Sequence, residues 1–299
     1  MTPGSGDDAP DGGGPVVRLR LDLGYDGTDF SGWALQPARR TVAGELLTGL
    51  RALFGADGPT GMTVAGRTDA GVHAAGQVCH VDVPDAGWRQ LAPTVVRRLA
   101  GVLPPDVRVF QVTEVPASFD ARFSALSRRY EYRVTDAPYG ARPQVRQLTL
   151  AWPRSLDLAA LNAAAAGLCG EHDFAAYCRR KEHATTIRTI SRLDWLRAPD
   201  GVLVATVQAD AFCQAMVRSL VGAMLVAGDG RRPVDWPAGL LTRAGRASEV
   251  MVVPPHGLTL VEVRYPVDQA AYAERAEQTR RRREALAVPD PTGASTPIG

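Results

Sequence analysis

Ala65-Gly66-Arg67-Thr68-Asp69-Ala70-Gly71-Val72-His73-Ala74 lies between two stretches that read as strands. Its glycines permit tight turns and the close approach of a second backbone. A loop aspartate such as Asp69 most often bonds its own backbone in a turn. As a reacting group it would serve as a nucleophile or a base, and for that it must stay ionised in a water-poor pocket. Desolvation raises a carboxylate's pKa and neutralises it; a nearby guanidinium opposes this. Arg218 stands on a stretch whose other residues are mostly apolar, Met216 to Leu225. It either snorkels to solvent along its own stem or needs an anionic partner. Tyr130 and Tyr132 alternate on a strand, a pattern of sheet packing that also suits stacking on a planar ring. His73, His80 and Asp82 could be imagined as metal ligands, but their spacing matches no known site, and no metal is expected. No Walker loop is present and no GxGxxG follows a strand, so no cofactor is expected either.

The hydrophobic periods say what holds these residues. Val17, Leu19, Leu21, Leu23 and Tyr25 alternate with polar residues, a half-buried strand. Thr41 is a candidate N-cap for a helix with Val42, Leu46, Leu50, Leu53 and Phe54 on its apolar face. A short strand near 63–65, a strand over 77–83, a helix around 88–100 and a strand over 107–115 complete a βαββαβ order. The second half repeats it: a strand about Tyr130, a helix over 158–168, strands over 187–197 and 202–210, a helix over 213–227 and a strand over 258–265. The expected fold is α+β, two ferredoxin-like, RRM-like halves whose antiparallel sheets join around a central cleft. The expected divisions are 1–14, a disordered tail; 15–117, the half carrying the Asp69 loop; 118–267, the second half; and 268–299, a solvent-facing helix and a disordered end. An open sheet of this topology is a platform often used for RNA, although a fold alone proves no function.

Composition narrows the classes without choosing among them. Of 299 residues 45% are hydrophobic and 22% charged, enough for a buried core without metal or disulfide staples. Net charge is +2, so the overall balance names no partner. Lys181 is the sole lysine, a bias that a GC-rich genome explains, although arginine's planar fork also suits phosphate. Cys79, Cys169, Cys178 and Cys213 form no CxxC pair, and reduced thiols in a cytoplasmic protein are expected. No apolar run approaches the roughly 18 residues of a membrane span.

The loop from Ala65 to His73 resembles, without interruption, the signature of the tRNA pseudouridine synthase A family. Tyr25-Asp26-Gly27 with Gly32-Trp33, Phe119 through Ala125, Arg128-Arg129-Tyr130-Glu131-Tyr132, Gly170 through Phe174, Met216 through Gly222 and Gly257 through Leu260 extend the resemblance over nearly the whole chain. It implies isomerisation of uridine at positions 38, 39 and 40 of the tRNA anticodon arm, with tRNA as the partner, a homodimer and no cofactor. It also implies that Asp69 is the catalytic aspartate, that Tyr130 packs on the target uracil and that Arg218 pairs with Asp69. Arg67 joins them as a substrate-binding candidate. Arg122, Arg128, Arg129, Arg179, Arg180 and Lys181 are candidate phosphate contacts. Two positions depart from the family pattern: Gln214-Ala215 stand where a histidine-containing pair is common, and Ala34 follows Gly32-Trp33 where glutamine is common. A non-catalytic RNA-binding or RNA-folding protein on the same fold is the rival reading.

Overall fold

In the computed structural model, residues 14–179 and 185–285 are described, with side chains as far as Arg282. The two expected tails, Arg180 and Lys181 lie outside these residues or at their margins. The chain forms ten strands and seven α-helices among the described residues. The first half contains β1 (Val16–Tyr25), α1 (Val42–Phe54), β2 (Thr60–Val64), β3 (His73–Pro84), α2 (Asp85–Leu91), α3 (Val95–Val102) and β4 (Val107–Val115). The second contains β5 (Ser127–Thr135), β6 (Leu150–Ala151), α4 (Leu158–Ala166), β7 (Gly170–Asp173), β8 (Ile187–Arg197), β9 (Leu203–Ala209), α5 (Met216–Gly228), α6 (Trp236–Gly239) and β10 (Leu258–Arg264), with α7 (Ala271–Ala285) beyond it.

The alternation in β1 does what its pattern requires: Leu19, Leu21 and Leu23 are fully buried, and Leu46 and Leu50 of α1 join the same core. Thr41 caps α1, its hydroxyl accepting from the Gly44 N–H at 3.2 Å, a cap that contributes about 1 kcal/mol. Asp157 caps α4 in the same way, accepting from Ala159 N–H at 2.7 Å.

One mixed, largely antiparallel sheet runs β4-β1-β3-β10-β5-β9-β8-β7, with β2 on β3 and β6 on β5. Within the first half the neighbours read β4-β1-β3-β2, and within the second β10-β5-β9-β8. The halves meet where β3 pairs in parallel with β10, His73 opposite Thr259 and Ala74 opposite Leu260. Only the first residues of β3 make this join; farther along, the same edge takes β2, Val64 lying opposite Cys79. The loop carrying Asp69 therefore leaves β2 and enters β3 at the seam between the halves.

Four expectations need correction. The single helix over 88–100 is two, α2 and α3, because Pro93 sits in the break and cannot donate the N–H a continuous helix needs. The helix expected from residue 213 starts at Met216, since Ala215 holds φ 63°, the left-handed region. The helix after β10 is not simply solvent-facing: Tyr272 and Ala276, one turn apart, are buried, and the Tyr272 ring meets Phe119 edge-on at 5.0 Å. Finally, Cys178 and Cys213, expected as free thiols, are joined in a disulfide across a sequence separation of 35, their Cα atoms 5.7 Å apart. That separation bridges readily but leaves no trace in residue spacing. Cys79 and Cys169 remain free.

Candidate active site

Backbone approach shapes the loop that presents Asp69. Trp33 N–H donates to Thr68 O at 3.1 Å, Gly71 N–H to Phe30 O at 3.3 Å and Val72 N–H to Asp69 O at 3.2 Å. From beneath, Gln77 of β3, fully buried, donates from Nε2 to Gly66 O at 2.9 Å and to the Tyr25 hydroxyl at 3.1 Å. Tyr25 in turn shares a 2.7 Å hydrogen bond with the Thr68 hydroxyl. A polar residue amid the apolar positions of a strand is the signal that could have singled out Gln77. Gly27 is required by contact: a Cβ there would stand 2.1 Å from Val72 O and 2.5 Å from Val72 C. Both neighbours are backbone, so neither can swing aside. Gly27→Ala is expected to destabilise the protein by about 1–3 kcal/mol, lowering Tm by several degrees in calorimetry; an unchanged Tm would contradict this packing.

Asp69 is about one-third exposed, and its Oδ2 lies 3.7 Å from Nη1 of Arg218. The two come from different halves, Asp69 from the β2–β3 loop and Arg218 from the first turn of α5. Arg218 is aimed by its own Nε, which donates to Val253 O at 2.7 Å, while Val253 N–H returns a 3.4 Å bond to Arg218 O. The segment before β10 thus grips α5, a contact with no periodic signature. Ala215, at one of the two departures from the family pattern, sets the direction of that first turn through its left-handed backbone. Burial pulls the Arg218 guanidinium below the usual arginine value; the charges of Asp69 and Tyr132 act against it. A partly exposed carboxylate beside a half-buried guanidinium is an arrangement that can serve as a nucleophile or a base.

Tyr130 of β5 is 7% exposed and packs edge-on to Phe212, ring centroids 5.2 Å apart. Its hydroxyl points towards the Asp69 loop, 4.0 Å from where a Cβ on Gly66 would sit. Burial pushes its phenol up, with Tyr25 and Asp69 adding to the shift, so it stays protonated. Tyr132, one step along the same face, is fully buried and donates to Pro254 O at 2.7 Å. The two tyrosines of the motif are therefore separated by surroundings: Tyr130 borders the loop, whereas Tyr132 is core.

Arg67 is exposed and makes no ion pair among the described residues; its charge lowers the pKa of Arg122, after burial. Of the phosphate-contact candidates, Arg122 and Arg179 are exposed, and Arg129 is half-buried, 3.4 Å from Glu262. Arg128 departs from the surface role expected for it: it is buried and donates to Ala65 O, Arg122 O and Asp210 O at 2.6 to 2.8 Å. The trio weighed as metal ligands has protein partners instead. Asp82 takes two 2.8 Å bonds from Arg18, His80 Nδ1 accepts from Ala121 N–H at 3.0 Å, and His73 Nδ1 accepts from Gly27 N–H at 3.0 Å.

Comparison with known proteins adds independent information. A family model described as tRNA pseudouridine synthase matches residues 164–266. A Frankia casuarinae protein named tRNA pseudouridine synthase A is 59% identical over 267 residues, covering 89% of this chain and 95% of that one. A Streptomyces griseus protein of the same name is 58% identical, covering 88% and 93%. A Mycobacterium leprae protein, also so named, is 49% identical, covering 88% and 94%. A solved structure, an H/ACA RNP bound to a substrate RNA containing 2′-deoxyuridine, aligns at TM-score 0.28 and 9% identity over 70% of this chain and 53% of its own.

Proposed function

The chain belongs to the tRNA pseudouridine synthase A family, and from that premise we propose that it isomerises uridine to pseudouridine at positions 38, 39 and 40 of the tRNA anticodon stem-loop, with Asp69 as the reacting carboxylate. One observation carries the assignment of the site: Asp69 and Arg218, from opposite halves, come within 3.7 Å beside the Tyr130 ring.

The reaction breaks N1–C1′, turns the base and joins C5 to C1′; N1 gains a proton and C5 loses one. Atoms and electrons balance without an oxidant, so an ionised carboxylate in a dry pocket suffices. Attack by Asp69 at C6 or C1′, or removal of the 2′ proton, each needs that ionised form. Arg218 supports it by charge and leaves one carboxylate oxygen free. The target base must leave its stack, at a cost on the order of a few kcal/mol, and stacking on Tyr130 offsets about 1–3 kcal/mol of it. Arg67, exposed on the same loop, is the further substrate-binding residue.

Tyr130→Phe is expected to keep kcat/KM within about threefold, because the ring survives, while Tyr130→Leu loses on the order of 10- to 100-fold. Steady-state kinetics with one tRNA checks this. Equal losses in both variants would place the function in the hydroxyl instead.

We read 15–117 and 118–267 as two ferredoxin-like units. The recurrence of one neighbour order, β4-β1-β3-β2 and β10-β5-β9-β8, supports that reading. The homodimer and the cytoplasmic setting are supported by the family resemblance. No helix of the described residues is long and apolar enough to cross a membrane.

Release of tritium from [5-³H]uridine-labelled tRNA tests the activity, since forming C5–C1′ expels the C5 hydrogen. Wild-type protein should release it without added metal or cofactor. Protein that binds a full set of unmodified tRNAs and releases none would be a binding protein on this fold, and the proposal would fall.

A further inference from the structure

Beside Arg128 lies a small cavity of about 50 Å³ lined by Arg122, Arg128, Arg188, Arg275, Arg282 and Asp210. Five guanidiniums and one carboxylate line it, and one of the five, Arg282, is also paired with Glu171 at the rim. Two of the five, Arg128 and Arg188, are only 6% and 7% exposed. Neither gives its hydrogen bonds to a carboxylate. Arg128 donates to three backbone carbonyls, and Arg188 donates to Ile187 O at 2.5 Å and Thr185 O at 2.7 Å. The Nε of Arg188 is buried without a hydrogen-bond partner among the described residues. Arg275 offers only a 3.4 Å bond from Nε to Ala125 O. Asp210 itself is committed, accepting from Thr189 N–H at 3.0 Å and Ala211 N–H at 2.8 Å and lying 3.6 Å from Arg282 Nη1.

Buried charge of one sign is costly unless a counter-charge answers it, and a guanidinium's planar fork matches the oxygens of a phosphate. Burial pulls Arg128 and Arg188 below the usual arginine value, and the charge of Asp210 acts against it.

We propose that this cavity is a binding site for one phosphodiester of the RNA substrate, close to the target uridine, with Arg188, Arg275 and Arg282 as its ligands and Arg128 as a fixed charge behind it. Its placement argues for RNA over a free anion. Arg128 joins the cavity to Ala65 O at the root of the Asp69 loop. Asp210 and Ala211 lead directly into Phe212, the ring that backs Tyr130. An RNA whose base lies on Tyr130 carries its backbone past this point. The inference rests on the synthase reading, and it accounts for α7, whose Arg275 and Arg282 bring positive charge from beyond the second half back to the site.

The test is tRNA binding by the full chain over a range of KCl concentrations, with Arg188→Met and Arg275→Gln. Arg275 is only partly buried, so its variant keeps the test alive if the first fails to fold. Each should weaken binding about fivefold to tenfold near 0.1 M KCl and reduce the salt slope by about one. Ethylation of one phosphate near the target uridine should weaken binding to wild type by a similar factor and make little further difference to Arg275→Gln. Unchanged affinity and slope in folded variants would overturn the site. If inorganic phosphate raises the Tm of wild type but not of Arg275→Gln while tRNA affinity is the same for both, the cavity takes a free anion and the RNA assignment is wrong. The synthase reading fails separately, through absence of tritium release by a wild type whose binding shows the full slope; the phosphate site would survive that result.

Discussion

Asp69→Asn is expected to bind tRNA within about threefold of wild type and to release no tritium, a fall on the order of 10⁴-fold or more. Asparagine keeps the size and hydrogen-bonding shape of the side chain but cannot act as nucleophile or base. The loop should keep its form, because the bonds that hold it, from Trp33, Gly71 and Gln77, run to the main chain and not to the carboxylate. Affinity and Tm therefore separate chemistry from folding. Activity within tenfold of wild type would remove Asp69 from the reaction, and a collapse of binding together with Tm would make it a structural residue.

Arg218→Met should lower kcat by about 10²- to 10³-fold, the usual cost of removing one fixed charge from a reacting centre. Stability should move little. Methionine approaches the volume of the arginine stem, and the Asp69 carboxylate left without its partner is about one-third exposed, so water can solvate it. Two losses nonetheless meet at this residue: the 3.7 Å approach to Asp69 and the 2.7 Å bond from Nε to Val253 O. Arg218→Lys distinguishes them, since it retains a positive charge but not the Nε–H that fixes its direction. A rate for Arg218→Lys close to wild type would show that charge alone matters; one as low as Arg218→Met would show that direction does. Full activity in Arg218→Met, measured by tritium release, would remove the pair from the mechanism.

What the sequence disclosed was local. β1 could be read from the alternation of Leu19, Leu21 and Leu23, and the start of α1 from Thr41, because each signal lies within a few residues of its effect. The Asp69 loop stood out for the same reason, and the resemblance named Arg218 and Tyr130 beside it. Features made by residues distant in the chain were not legible. Gln77 beneath the loop, Phe212 against Tyr130, the Val253 carbonyl behind Arg218 and the Cys178–Cys213 bridge leave no spacing to count. Arg128 shows the limit most plainly. As a letter beside Arg129 it looked like one more surface cation, yet it is buried and bonded to three carbonyls. The break at Pro93 was visible as a residue and was overridden by the apolar period around it. Ala215 gave no warning at all, because alanine rarely takes a left-handed backbone.

The parallel seam at which His73 and Ala74 meet Thr259 and Leu260 has a consequence for how activity can be lost. The carboxylate enters from one side of that seam and its guanidinium from the other, so the distance between them measures the alignment of the halves directly. A slip between them too small to expose core or alter the strands would still separate the charges. With Asp69 and Arg218 in the proposed roles, neither half is expected to hold the chemistry alone, and activity is expected only when the two are docked in register.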